Sequence, residues 1–171
     1  LPADINLEFI PEGETLEGML TAGELDALFA TYIPNLFLNG SPKIARLFPN
    51  FKEVEQDYYR RTGIFPIMYT VVVREDVHRE HPGVASSLFD AFTEAKELAV
   101  DCLYDTDALA LTLPFLIDHL EETWKTFGSD YRSYGVASNR PSLEALAKYV
   151  VDQGLAPRVV SPEELFPETA Q

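Results

Sequence analysis

The run IFPIMYTVVVR at residues 64–74 restricts the fold more than any other part of the sequence, because it concentrates Val, Ile, Tyr and Phe. These side chains favour β-strands, where branched and aromatic groups pack well on a pleated surface. Pro66 has no N–H to donate to a β-ladder, so it favours the start or an edge of the strand. The run therefore predicts a strand, and with it a fold that contains a sheet.

The N-terminal part predicts a compact βαβ unit. Residues 5–10 alternate apolar and polar, and residues 25–30 form a second strand-like run. A short helix between them begins after Thr15 as N-cap and ends at Gly23 as C-cap. Strands joined in this way pair in parallel through a right-handed crossover. Ligands bind beyond the carboxyl ends of such strands, which places Thr31 and Tyr32 at a binding edge.

The rest of the chain is mainly helical. Apolar spacing, prolines at helix starts and glycines at helix ends predict helices over residues 51–60, 82–103, 114–127 and 141–153, with Asn139 as an N-cap of the last. A short helical turn follows at 161–164, and a loose tail begins at Pro167. The predicted fold class is α/β: a small, mostly parallel sheet with flanking helices and a helical C-terminal part. So few strands for so many helices indicate that further strands lie in a segment outside this sequence.

Composition excludes several classes of function. The 171 residues carry 13 Lys and Arg against 28 Asp and Glu, a formal net charge of −15, which argues against a nucleic-acid partner. The only cysteine, Cys102, excludes an internal disulfide and a thiolate-rich zinc site, and its helical context predicts a small buried hydrophobe. No apolar run approaches the roughly 18 residues of a membrane span, so the sequence predicts a soluble protein without a membrane partner. The opening LPAD, without Met or a signal sequence, suggests a piece of a larger protein.

The histidines give little support to a metal site. His78 and His81, with Asp76 or Glu80, lie in a highly charged stretch before a helix, where a solvated connector is the favoured interpretation over metal binding. His119 lies among acidic residues on a predicted helix face that meets solvent. No Gly-x-Ser-x-Gly elbow, Walker motif or dinucleotide fingerprint occurs. The sequence therefore predicts no metal and no cofactor.

The most unusual cluster joins two arginines to a turn. Arg60 and Arg61, followed by Thr62 and Gly63, concentrate forked donors at a helix-to-strand junction in an otherwise acidic chain. Guanidinium groups bind planar carboxylates through two parallel hydrogen bonds, so this cluster predicts a carboxylate site. The alternative, favoured by composition alone, is that the arginines complement their own helix end and pair with acidic neighbours.

Three further residues extend this hypothesis. Phe65 and Tyr69 offer faces for an aromatic ring, and Arg140 is a second cation just before a predicted helix. Arg140 is the weaker candidate, because a residue at that position also serves as a simple connector. Together the residues predict binding of a small aromatic carboxylate.

Several segments together resemble one family. The run GMLTAGELDAL at residues 18–28 is similar to the Gly-x-hydrophobic-Asp-Ala step of type II periplasmic-binding-protein folds. Combined with RLFP, YYRRTGIFPIM, the REDV…HP stretch and YGV…NRP, it resembles 4,5-dihydroxyphthalate decarboxylase and its relatives over residues 5–166. The resemblance implies the C-terminal portion of a two-lobed clamshell, with a βαβ lobe and hinge at 1–74, a mainly helical part at 75–171, and an absent N-terminal lobe as partner.

The resemblance also implies a reaction, the loss of one carboxyl group as CO2 from an aromatic ortho-dicarboxylate. Arg60 or Arg61 would bind a carboxylate, and Tyr32 would line the cleft. Tyr69 stands where the family commonly has His after Phe-Pro-Ile-Met, so Tyr69 replaces that residue as proton donor or the activity differs. The alternative function is non-catalytic binding of an aromatic acid in the same cleft. The implied location is the cytoplasm, or the periplasm for a precursor with a signal peptide, and homo-oligomer formation stays open.

Overall fold

The computed structural model describes Pro2 and residues 5–166, and these divide into two compact units, Leu1–Val54 and Glu55–Gln171. The described residues form eight helices, which we number in chain order: α1 Leu16–Ala22, α2 Asn35–Leu38, α3 Phe51–Thr62, α4 Glu75–Glu80, α5 Val84–Tyr104, α6 Leu116–Phe127, α7 Val136–Asp152 and α8 Pro162–Leu165. No helix among them is long and apolar enough to cross a membrane. The predicted tail from Pro167 lies outside the described residues.

The predicted α/β fold is wrong for this part of the chain. Helices account for 51% of the described residues, and those residues contain no strand and no sheet. The three runs predicted as strands, 5–10, 25–30 and 64–74, have no regular secondary structure, so the part of the chain that the structure describes contains neither a βαβ unit nor a periplasmic-binding-protein sheet. A strand is stable only when neighbouring strands satisfy its backbone groups and cover its side chains, so β-propensity alone did not decide the outcome.

The first unit contains the helix whose ends the sequence predicts best. The hydroxyl oxygen of Thr15 accepts a hydrogen bond from the Gly18 N–H at 3.1 Å, and Gly23 ends α1 in the left-handed conformation with φ 81°. Both predicted caps are thereby confirmed. A carboxylate oxygen of Glu17 accepts a hydrogen bond from the Leu36 N–H at 2.7 Å, which ties α1 to α2.

The second unit is held together by packing among its helices. The rings of Tyr104 on α5 and Trp124 on α6 stack with centroids 4.8 Å apart. Leu120 and Val136 are the buried hydrophobic residues of the described chain. Cys102 lies on α5 as predicted, but it is exposed, so the prediction of a buried position was wrong. The helix positions of α3, α5, α6 and α8 match the predicted ranges closely.

Helix α7 begins five residues before its predicted start. Gly135 precedes the helix with φ 90°, and Pro141 lies inside it. The side-chain amide of Asn139 donates to the carbonyl oxygens of Ser133 at 2.8 Å and Gly135 at 2.9 Å, so Asn139 closes the first turn from within and is not the N-cap. A proline usually marks a helix start because it lacks an N–H, and here the helix continues through it at the loss of one internal hydrogen bond.

Candidate functional site

The end of α3 shapes the segment that carries the candidate arginines. Gly63 adopts φ 66°, and its N–H donates to the carbonyl oxygen of Tyr59 at 2.8 Å. The hydroxyl of Thr62 donates to the carbonyl oxygen of Tyr58 at 2.7 Å and accepts from the Ile64 N–H at 3.1 Å. Thr62 and Gly63 thus end the helix and redirect the chain, because glycine adopts a positive φ with little steric cost.

The two arginines have different partners. The Nε–H of Arg61 donates to a carboxylate oxygen of Asp57 at 2.7 Å, one helical turn earlier, and both side chains are largely exposed. Arg60 donates instead to the neutral side-chain oxygen of Gln56 at 3.2 Å, and it forms no ion pair within the described part of the chain. Successive helical residues also point about 100° apart, so the two side chains leave the helix in different directions. Pairing with an acidic neighbour is therefore observed for Arg61 and not for Arg60.

Phe65 is an anchor of the second unit. Its ring contacts three aromatic rings edge to face, with centroids 6.5 Å from Tyr59, 5.4 Å from Phe127 and 6.3 Å from Tyr131. The hydroxyl of Ser142 accepts from the Phe65 N–H at 3.2 Å and donates to the Phe65 carbonyl oxygen at 2.9 Å. We call these five residues the Phe65 anchor. Edge-to-face packing and two hydrogen bonds fix the chain directly after the arginines.

Ser142 was missed by sequence reasoning. Serine is common on helix surfaces, and its partner lies 77 residues earlier, so no local pattern identifies the contact. The bond nevertheless brings α7 to the segment after α3. Arg140, two residues before Ser142, consequently lies on the helix that holds Phe65.

The guanidinium of Arg140 is already shared between two carboxylates. It donates to Glu163 on α8 and, at 3.3 Å, to Glu144 one turn further along α7. These hydrogen bonds and the negative charge of both groups raise the pKa of Arg140 above its ordinary value. Arg140 therefore links α7 to α8, and an incoming carboxylate would compete with both partners.

The remaining predicted site residues are not members of this anchor. Tyr69 belongs to the segment after Phe65 and is 88% exposed. Thr31 and Tyr32 are exposed residues of the first unit, whereas Phe65 belongs to the second. The described second unit thus brings together Phe65, the turn at Gly63 and the helix of Arg140.

The histidine-containing stretch forms α4 rather than an irregular connector. Its charges meet solvent as predicted, since Arg79 pairs with Glu75 at 2.7 Å and both side chains are exposed. The carboxylate of Asp76 accepts hydrogen bonds from Arg74, which lower the pKa of Asp76 below its usual range. No group of three His, Cys, Asp or Glu side chains that could hold a metal ion occurs among the described residues.

One open depression of about 490 Å³ lies beside α1 in the first unit, with Glu17, Thr21 and Lys43 among its lining residues. None of the predicted site residues lines it. The carboxylate of Glu17 is engaged with the backbone of α2, so the depression belongs to the packing of α1 against α2.

Comparison with known proteins supports the family resemblance. The chain is 34% identical over 166 residues to a 4,5-dihydroxyphthalate decarboxylase of Comamonas testosteroni, a match that covers 97% of this chain and 50% of that protein. It is 45% identical over 60 residues to a 4,5-dihydroxyphthalate decarboxylase of Pseudomonas putida, covering 35% of this chain and 23% of that protein. No protein family model matches the chain. The resemblance is thus confirmed, and the chain spans about half the length of the Comamonas relative.

Proposed function

We propose that this chain supplies about half of a carboxy-lyase that removes one carboxyl group from 4,5-dihydroxyphthalate, or from a closely similar aromatic ortho-dicarboxylate, as CO2. The observation that carries the proposal is the identity of 34% to a protein of that name over nearly the whole chain. In this proposal the chain is the C-terminal portion of a larger two-lobed protein. The cytoplasm is the proposed location, and a signal peptide on the full-length product would change it to the periplasm.

Arg60 is the first candidate for binding a substrate carboxylate. It is exposed at the end of α3, and its described partner is the neutral side chain of Gln56. Arg61 and Arg140 are weaker candidates, because carboxylates already occupy part of each guanidinium. A guanidinium that no carboxylate of the protein binds can bind a substrate carboxylate without displacing one. It does so through two parallel hydrogen bonds.

The residues after Arg60 would hold the substrate-binding segment in shape. Thr62 and Gly63 fix the turn that follows the arginines, and Phe65 is fixed by its aromatic neighbours. Thr31 and Tyr32 are further substrate-binding candidates, on the first unit. The proposed site uses neither a metal nor an organic cofactor for the steps that follow.

Tyr69 is the proposed proton donor. Its hydroxyl would transfer a proton to the ring carbon that bears the carboxylate, while the hydroxyl para to that carbon gives its proton to solvent water and a dienone forms. Cleavage of the C–C bond then releases CO2, its electron pair restores the aromatic ring, and the para oxygen regains a proton. Tyr69 finally recovers its own proton from solvent. Arg60 would hold the dianionic substrate in position throughout.

The proposal is tested by incubating the full-length protein with 4,5-dihydroxyphthalate and measuring both binding and CO2 release. Arg60→Ala should weaken substrate binding by about 1.5–3 kcal/mol, because a hydrogen bond to a charged group is lost. Arg79→Ala is the matched control, since it removes an exposed helical arginine outside the proposed site, and it should leave binding unchanged. Tight binding without CO2 release would reject the enzyme in favour of a binding protein.

A second measurement isolates the proton donor. Tyr69→Phe keeps the ring and removes the hydroxyl, so turnover should fall by about 10²–10⁴-fold while substrate affinity changes little. Single-turnover kinetics with saturating substrate would separate the two effects. Full turnover in this variant would end the proposed role of Tyr69.

A further inference from the structure

The side chain of Gln56 on α3 joins Arg60 to helix α6. Its amide nitrogen donates to a carboxylate oxygen of Glu122 on α6 at 3.1 Å, and its amide oxygen accepts from the Arg60 guanidinium at 3.2 Å. Gln56 is half-buried, whereas Arg60 is exposed. All three residues belong to the second unit, so both contacts lie within one compact part of the chain.

The two contacts together fix the orientation of the Gln56 amide. A carboxylate only accepts hydrogen bonds and a guanidinium only donates them, whereas an amide donates from its nitrogen and accepts at its oxygen. In the opposite orientation the amide nitrogen would face the guanidinium and the amide oxygen would face the carboxylate, so both hydrogen bonds would be lost. Glu122 therefore turns the Gln56 oxygen toward Arg60.

The next pair along α3 shows what an acidic residue does at the same spacing. Asp57 lies four residues before Arg61, as Gln56 lies four residues before Arg60, and the Arg61 Nε–H donates to the Asp57 carboxylate at 2.7 Å. Both sequence neighbours of Gln56 are acidic, so the neutral amide interrupts an acidic stretch. An amide oxygen holds a guanidinium in place and adds no negative charge beside it, whereas a carboxylate adds one.

We propose that Gln56 is a positioning residue that fixes the direction of Arg60 and makes the site selective for a dianionic substrate. The proposal rests on the proposed function, in which Arg60 binds a substrate carboxylate. Holding a long flexible side chain in advance reduces the conformational entropy that substrate binding would cost. The neutral charge of Gln56 avoids repulsion of the substrate, so Gln56 acts through Arg60 without donating to the substrate itself.

The test compares variants of the full-length protein in two assays. Steady-state decarboxylation of 4,5-dihydroxyphthalate gives KM and kcat. Equilibrium dialysis gives the Kd of phthalate, which has the two ortho carboxylates but no para hydroxyl and so cannot react by the proposed route.

Gln56→Glu should raise KM and the phthalate Kd by about tenfold and change kcat by less than about threefold. The new half-buried carboxylate would pair with Arg60 and repel both substrate carboxylates. Gln56→Met keeps the length of the side chain and removes both hydrogen bonds, so it should raise KM and Kd by only about threefold. Gln153→Glu, at the C-cap of α7, makes the same change of charge outside the proposed site and should leave both within about twofold.

Three results would overturn the proposal. The first is unchanged phthalate affinity in Gln56→Glu while Arg60→Ala weakens it, which would keep Arg60 in the site and remove Gln56. The second is equal weakening by Gln56→Met and Gln56→Glu in variants with the same helical circular dichroism, which would show that charge at this position does not matter. The third is equal weakening by Gln153→Glu, which would show an effect of overall charge.

The two assays also separate this proposal from the proposed function. If phthalate affinities follow the expected order but no CO2 is released, the reaction is rejected and the role of Gln56 is supported. If the unsubstituted protein does not bind phthalate, or Arg60→Ala binds it equally well, the carboxylate site at Arg60 is rejected and the role of Gln56 with it.

Discussion

Two neighbouring parts of one apolar run have opposite surroundings. Phe65 is enclosed by three aromatic rings and held by the Ser142 hydroxyl, whereas Tyr69, four residues later, is 88% exposed. Both parts have the composition of a buried strand. The comparison shows that apolar composition makes a run suited to burial. Whether the run is buried depends on residues from elsewhere in the fold.

The difference also separates two roles. The Phe65 anchor fixes the chain after α3 and with it the position of Arg60, so it contributes to the stability of the second unit. Residues 67–72 contribute little to that stability, because they contact little of the described chain. One of them, Tyr69, is the proposed proton donor, so its exposed hydroxyl would serve the reaction and not the stability of the unit.

The largest expected effect is the loss of a ring from the anchor. Phe127→Ala removes contacts with Tyr59, at 4.8 Å between ring centroids, and with Phe65. Because Phe127 is only half-buried, we expect the free energy of unfolding to fall by about 2–3 kcal/mol, at or below the usual range of about 3–5 kcal/mol for Phe-to-Ala changes in a core. Val72→Ala should change it by less than about 0.5 kcal/mol. Urea denaturation of both variants measures these free energies of unfolding. Similar losses in the two variants would show that Phe127 and Val72 contribute equally to stability.

A smaller effect is expected from the hydroxyl that holds Phe65. Ser142→Ala leaves the Phe65 N–H and carbonyl without their partner, which should lower the free energy of unfolding by about 1–2 kcal/mol. Ser87→Ala on α5 is a control on another helix, expected within about 0.5 kcal/mol of the unsubstituted chain. If Ser142→Ala is as stable as this control in urea, Ser142 does not hold the anchor.

The smallest effect concerns the turn that separates α3 from the anchor. Gly63→Ala should cost about 1 kcal/mol, because an L-residue is strained at φ 66°, and a Cβ there would meet no atom within 4 Å. Gly83→Ala is the matched control: its surroundings are equally open, and its φ of −82° suits any residue. Equal thermal stability of the two variants would show that the left-handed turn is not required.

Helix ends were predictable where local chemistry determines them. Thr15 and Gly23 bound α1 as expected, and Gly128 follows α6 with its N–H bonded to the Trp124 carbonyl oxygen at 2.9 Å. These caps depend on residues within one turn of the helix end, so a sequence window contains the whole interaction. The start of α7 was not predictable in this way. Proline is frequent at the first position of a helix, but Pro141 lies in the interior of this one.

Strands and site contacts depend on distant residues. The run 64–74 has high β-propensity, but no neighbouring strand pairs with it in the described structure, so the predicted sheet did not form. The sequence alone identified the two arginines at the end of α3, because they are adjacent cations after a helical pattern in an acidic chain. Their partners, and the bond from Ser142 to Phe65 across 77 residues, required the structure.

Hydrogen exchange along residues 65–73 of this chain tests the account most directly. The Phe65 amide should exchange slowly, because it donates to Ser142, and the amides of residues 67–73 should exchange at unprotected rates. Rapid exchange at Phe65, or slow exchange at 67–73, would contradict the account.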